Sequence, residues 1–221
     1  MPNTDAHTLQ VEIWSDIVCP WCYVGKRRFE QALAGFEHPE AVAVRHHAFQ
    51  LNPAAVPGET TSRRAGLKAK YGLTDARVAE LDAQMTQTFA SVGLTFLGGE
   101  GLTGNTRVAH EVVAAAAEAG TQDAVIERLF RAYFSEGRSV FDPVSLVALG
   151  VEAGLDESAL SRSLIEGTYA EAVERDLAEA QEIGITGVPF FVFDRRFAVS
   201  GAQQPEVFAQ ALRQAWDTTG E

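Results

Sequence analysis

The 221-residue sequence contains only two cysteines, and they stand together as Cys19-Pro20-Trp21-Cys22. With no third or fourth cysteine, neither a disulfide-stapled scaffold nor a cysteine-rich zinc finger is available. Long apolar runs are also missing. None approaches the ~20 residues that a membrane-spanning helix needs. The start, Met1-Pro2-Asn3-Thr4-Asp5-Ala6-His7, lacks a basic stretch followed by an apolar one. No secretory signal is visible, so a cytoplasmic location is expected. Positive charge is scarce: 18 Lys and Arg stand against 30 Asp and Glu, for a net charge of -12. That balance argues against nucleic acid or anionic membranes held by bulk electrostatics. Internal repeats and low-complexity segments are absent.

What is present centres on the cysteine pair. A zinc site there would have to be completed by His46, His47 or His110, whose spacing matches no ligand pattern, and no metal is expected. A structural disulfide across four residues would remove little chain entropy. In a cytoplasmic chain a CxxC is more often catalytic than structural. The pair follows an alternating, strand-like segment, Leu9 to Trp14, and opens a segment of helical character reaching Ala34. At a helix start, the first sulfur faces unpaired backbone N–H groups and the positive end of the macrodipole. That setting favours the thiolate, which is the reactive species. A strand-CxxC-helix unit is in outline a dithiol/disulfide catalyst.

The rest of the chain divides by pattern. Val42 to Phe49 reads as a second strand and the proline-rich stretch after it as a loop. Helices alone are expected from there to Gly184. Their caps are Thr74 or Asp75, Asn105, Thr121, Asp142 before Pro143, Asp156, and a capping box of Thr168 with Glu171. Val125, Ile126, Leu129, Phe130, Tyr133 and Phe134 form one apolar stripe. Val188 to Phe193 and Phe197 to Ser200 read as a hairpin, followed by a helix from Pro205 bearing Val207, Phe208, Ala211, Leu212 and Trp216. The pattern implies an α/β fold in two units: 9–58 with 185–221 carrying the sheet, and 59–184 as an inserted helical domain.

The order β-α-β … β-β-α, with CxxC after the first strand, resembles the thioredoxin-like fold, and the large all-helical insertion resembles the DsbA type. The segments Ser15-Asp16-Ile17-Val18-Cys19-Pro20-Trp21-Cys22-Tyr23-Val24-Gly25-Lys26 and Phe49-Gln50-Leu51-Asn52-Pro53 resemble the FrnE-like cytoplasmic branch of that family. Asn105-Thr106-Arg107-Val108-Ala109-His110 and Gly184-Ile185-Thr186-Gly187-Val188-Pro189-Phe190-Phe191 extend the similarity over most of the chain. The resemblance implies a thiol-disulfide oxidoreductase or isomerase. Cys19 would be the exposed nucleophile and Cys22 the buried resolving partner. Pro189 would be a cis-proline, with the backbone of Val188 left free for an extended substrate. Pro20, Trp21, Val188 and Pro189 would line the substrate site. It also implies no metal or bound organic cofactor beyond the dithiol, and it leaves glutathione open as a co-substrate and a monomer or homodimer open as the assembly.

Further residues carry weaker signals. Trp21 cannot donate a charge-assisted bond to the thiolate, which predicts a less oxidising couple than in histidine-bearing DsbA enzymes. Asp16 is expected to cap the first helix, or more sharply to accept a proton near the cysteines. Lys26 is expected as a solvated surface lysine, with added positive potential near the site as the alternative. His110 is expected half-buried and bonded to backbone, with an accessory role at the site as the alternative, since the resemblance places its helix over the active-site groove. Two other function classes compete. One is glutathione chemistry of the kappa-class transferase and hydroxychromene-carboxylate isomerase type. It is disfavoured because those enzymes usually carry serine at the Cys19 position and a Ser-Asp pair where this chain has Gly201-Ala202. The other is a non-enzymatic binding or chaperone role for the groove.

Overall fold

The computed structural model describes residues 8–98 and 101–218. Residues 219–221 of the expected sheet-bearing unit, and 99–100 of the inserted one, lie outside the described residues. The first strand, β1 (Leu9–Ser15), leads into α1 (Pro20–Ala34), and β2 (Val42–Ala48) returns parallel to β1. A short strand β3 (Thr60–Ser62) and helices α2 (Arg63–Tyr71) and α3 (Asp75–Ser91) follow, then β4 (Leu102–Gly104). Helices α4 (Arg107–Glu118), α5 (Gln122–Ser135), α6 (Pro143–Glu152), α7 (Glu157–Glu166) and α8 (Ala170–Glu182) complete the helical block. The hairpin β5 (Phe190–Phe193) and β6 (Phe197–Ser200) and helix α9 (Pro205–Thr218) close the chain.

The main sheet has the order β2-β1-β5-β6, with β1 parallel to β2 and antiparallel to β5. This is the thioredoxin-like arrangement with a helical insertion. β1 is central, which is why its burial is nearly continuous and its alternation incomplete. One sheet face packs Val11, Ile13, Phe191 and Phe193 against Phe29 of α1 and Phe208 of α9. The other face sets Trp14 and Val192 against Ala180 and Ile185. The helical block has its own core around Phe89, Phe130, Phe134 and Leu146, and that core is continuous with Ile17, Cys19, Cys22 and Tyr23. The thiol site therefore sits where sheet and helical block meet.

Several expected details change. The block from residue 59 to 184 is not purely helical, because β3 and β4 pair antiparallel. These three-residue strands are too short for a periodic signal, and their pairing is long-range in sequence. The hairpin strand starts at Phe190 rather than Val188. Asn105 is not the cap of α4; Thr106 holds that position, and Asn105 Oδ1 accepts from Arg107 N at 2.9 Å. Thr121 opens α5 without a side-chain cap bond. The Thr168–Glu171 capping box does not form either; α8 starts after Tyr169, again with no side-chain cap. Thr168 N is instead bonded to Ser163 O at 3.0 Å, so this residue belongs to the end of α7. Thr74, Asp142 and Asp156 do cap their helices. Val207 lies exposed rather than in the stripe of α9.

Candidate active site

β1 ends at Ser15, and the Asp16–Val18 turn delivers Cys19 to the start of α1. Cys19 N donates to Asp16 O at 3.0 Å, and Cys22 N donates to Cys19 O at 3.0 Å. Cys19 is the extended N-cap of α1, with Pro20 in the first helical turn, where its missing N–H costs nothing. Both cysteines are free thiols. Cys19 is 4% exposed, so the expectation of an exposed sulfur is corrected. It packs into the apolar cluster of Ile17, Cys22 and Tyr23, with Val188 and Ala202 against that cluster. Its sulfur makes no cap bond to the helix amides. The reduced thiol is a donor, and it points instead at the Val188 carbonyl, 3.6 Å away. The Val188 backbone is therefore not free in this state.

Cys22 is buried one turn later. Burial pushes its thiol well up. The Cys19 sulfur beside it, which takes its hydrogen bond, pushes further, as does the Asp16 carboxylate; the Asp16 backbone N–H works the other way. The Cys19 thiol in turn donates to the Val188 carbonyl. Cys22 thus holds its proton in the reduced protein.

The Val188–Pro189 peptide bond is cis. The Pro189 ring lies against Gly25: a Cβ built there would meet Pro189 Cγ at 2.9 Å and Ala202 Cα at 3.5 Å. Gly25 was missed as a site residue, although a glycine inside a helical run is the kind of signal that marks close approach. Trp21, between the cysteines, is 45% exposed and forms part of the surface beside the pair.

The accessory residues fall in different places. Asp16 does not cap α1. It is buried, Oδ2 accepts from Leu51 N at 2.7 Å, and Oδ1 has no hydrogen-bond partner. His110, on the first turn of α4, is fully buried rather than half-buried. Its Nε2 lies 3.0 Å from the Phe49 carbonyl and 3.6 Å from Asp16 Oδ1. Lys26 is not a solvated surface lysine; at 4% exposed it is paired with Glu30, Asp123 and Glu127. Burial opposes its charge, and these carboxylates overcome that and raise its pKa. With its charge matched by acids on its own helix and on α5, it is a tie between α1 and the helical block.

The three histidines do not meet at the cysteines. His46 contacts Asp123, His47 contacts Asp176 and Glu12, and His110 contacts Phe49. Among the described residues, the cluster able to offer metal ligands is His47, Asp176 and Glu179, and it contains neither cysteine. Arg195 bridges Glu179 and the neighbouring Glu12, which supplies positive charge to one carboxylate of that cluster.

The profile of the DSBA-like thioredoxin domain family matches residues 10–213. The chain belongs to that family. A solved structure of a probable DsbA oxidoreductase from Streptomyces coelicolor is 42% identical, with a TM-score of 0.90, over 95% of this chain and 90% of that one. An uncharacterised protein of Bacillus subtilis, YwbO, is 29% identical over 93% of this chain and 96% of its own length. The cytosolic disulfide reductase DsbM from Pseudomonas aeruginosa, solved with glutathione, shares the fold with a TM-score of 0.59 at 22% identity, over 94% of this chain and 99% of that one. As a DSBA-like chain, the protein places its CxxC where β1 meets α1. Among the described residues, no helix is long and apolar enough to cross a membrane.

Proposed function

We propose that the protein is a cytoplasmic thiol-disulfide oxidoreductase of the FrnE-like branch, acting through Cys19 and Cys22. The sheet-bearing segments 9–58 and 185–221 carry the chemistry, and the helical unit 59–184 covers it. The observation that carries the reading is the paired free thiols at the start of α1, with the Cys19 sulfur 3.6 Å from the Val188 carbonyl and the Cys22 thiol held up by burial.

In the forward reaction Cys19 loses its proton and attacks one sulfur of a substrate disulfide. A Cys19–substrate bond forms, and the other substrate sulfur leaves as thiolate. Loss of the Cys19 proton also removes its bond to Val188, whose carbonyl then accepts a backbone N–H of an extended substrate. Trp21, Pro20 and Pro189 supply apolar surface beside that strand. Cys22 next attacks Cys19 and releases the second substrate sulfur. Its proton needs a local acceptor because the thiol is buried and held protonated. Asp16 Oδ1, buried and without a partner, fills that role. The sulfurs carry the electrons, so no metal or organic cofactor enters; glutathione is one candidate disulfide or thiol partner.

Glutathione-dependent isomerase or transferase chemistry is the weaker alternative. Ala202 offers no side-chain hydrogen bond, and its carbonyl is already taken by Arg28 at 2.7 Å. The test is turnover of protein and small-molecule disulfides by Cys19→Ser and Cys22→Ser. Cys19→Ser should be inactive and Cys22→Ser should accumulate mixed disulfides at Cys19. Full turnover by Cys19→Ser would reject the mechanism.

A further inference from the structure

The helical block brings His110 of α4 against Asp16, and the exchange steps above leave it without a task. Its Nε2 is 3.0 Å from the Phe49 carbonyl. A carbonyl only accepts, so the hydrogen-bonded form of His110 carries its hydrogen on Nε2. The same atom is 3.6 Å from Asp16 Oδ1, just beyond hydrogen-bond distance. Asp16 Oδ1 is an orphaned buried acceptor, and such an oxygen is costly until a donor reaches it. The other Asp16 oxygen is fixed by Leu51 N at 2.7 Å. Phe49 and Leu51 belong to one short segment after β2, so this segment holds both partners: His110 through one carbonyl, Asp16 through one amide.

The other titratable groups around Asp16 are accounted for. On α1, the Cys22 thiol is the proton source. On α5, Tyr133 feels the Asp16 charge and is pushed up to about 12, mainly by burial. Its hydroxyl is committed to the Leu102 carbonyl at 2.7 Å. His110 Nε2–H, 3.0 Å from the Phe49 carbonyl and 3.6 Å from Oδ1, is the donor that can be shared between the two oxygens.

We infer that His110 is the positioning residue for Asp16, holding Oδ1 toward Cys22 during resolution of the mixed disulfide. The inference rests on the exchange reading with Asp16 as acceptor. In the step it assists, the Cys22 proton passes to Asp16 Oδ1. The Cys22 electron pair forms the Cys22–Cys19 bond, the Cys19–substrate bond breaks, and the substrate sulfur leaves with that pair as thiolate. The substrate disulfide is the oxidant, so nothing else is consumed. The carboxylate oxygen has room for both contacts, since it carries two lone pairs. Because His110 comes from the helical block and Asp16 from the sheet, alignment of the acceptor depends on how the two pack together.

The test follows the reduced protein mixed with dithiobis(nitrobenzoate), which releases a coloured thiolate twice. The first release reports attack by Cys19 and the second reports resolution by Cys22. The first should be unchanged in the His110 variants. Asp16→Asn should slow the second by about a hundredfold, the low end for lost general-base catalysis. His110→Phe should slow it by about tenfold, as a misplaced catalytic group does. His110→Gln, which keeps an N–H donor, should recover most of that loss. The deciding result is the double variant: His110→Phe should cost nothing further in the Asp16→Asn background. The cycle is repeated with His110→Asn, a polar side chain too short to reach Oδ1, so that a poorly folding phenylalanine variant leaves the comparison standing. An equal loss in both Asp16 backgrounds, or no effect on the second release, overturns the role of His110 alone. Absence of any coloured release from the wild type overturns the exchange reading and this inference with it.

Discussion

Replacing Gly25 by alanine probes the contact that sets the substrate loop against α1. The added Cβ would lie 2.9 Å from Pro189 Cγ and 3.5 Å from the Ala202 backbone. Ordinary carbon contacts start near about 3.5 Å, so the ring must retreat by about 0.6 Å. Two energies oppose. Alanine gains about 1 kcal/mol over glycine in a helix interior. Overpacking a tight contact costs about 1–3 kcal/mol. The net change is a loss of about 0–2 kcal/mol by these figures, too small to unfold the protein. Activity should suffer more. Pro189 is covalently joined to Val188, whose carbonyl is 3.6 Å from the Cys19 sulfur, so the retreat moves the substrate-pairing group relative to the nucleophile. A displacement of that size should lower disulfide exchange by about tenfold. The assay is the exchange rate with a disulfide peptide, beside urea unfolding of the same sample. Gly66→Ala is the control, because its Cβ would meet only the Thr103 methyl, at 3.3 Å. A Gly25→Ala protein that exchanges at the wild-type rate and gains the full helix-propensity increment would refute the argument.

Other outcomes follow from the same geometry. Brief alkylation of the reduced protein should label Cys19 before Cys22, since burial and the Cys19 sulfur hold the Cys22 thiol protonated; peptide mass mapping decides, and preferential labelling of Cys22 would reverse the roles. Burial holds the His46 imidazole below its ordinary value, so the folded protein keeps it neutral. As pH falls below about 6.5 the unfolded chain takes up a proton that the folded one lacks, and stability drops. His46→Gln should flatten that part of the stability curve, measured as urea midpoints between pH 7 and pH 5. Lys26→Ala strands three acids and should destabilise, though by less than the about 3–5 kcal/mol of a fully buried broken pair. The discount arises because Asp123 is 64% exposed. Denaturant unfolding reads the loss, and Lys26→Met should lose less.

The fold was legible where local chemistry and periodicity agree. Leu9 to Trp14, the CxxC start of α1, the Asp142 and Asp156 caps and the Phe197 strand all express short-range rules. The β3–β4 pair was not legible because neither strand is long enough to show a period. The Thr168–Glu171 pattern misled because the Schellman-like end of α7 claimed Thr168 first. Around the site, Cys19, Cys22 and Pro189 could be named from the resemblance. The inward turn of the Cys19 sulfur could not, because it depends on a carbonyl 169 positions away in sequence. Lys26 illustrates the same limit: its i,i+4 acid, Glu30, is visible in the sequence, but Asp123 and Glu127, which bury it, arrive from α5. Asp16 and His110 share a site only because residues 49–51 bridge β2 to the helical block.

The central claim is that Cys19 and Cys22 form one reversible two-electron couple. Equilibrating the protein in graded mixtures of reduced and oxidised glutathione, then trapping free thiols and mapping disulfides by mass, tests it directly. The account predicts a single transition to an intramolecular Cys19–Cys22 disulfide, at a potential more reducing than the about −120 mV of DsbA. Failure of that disulfide to form at any ratio, or its formation without reversal on adding reduced glutathione, would contradict the account.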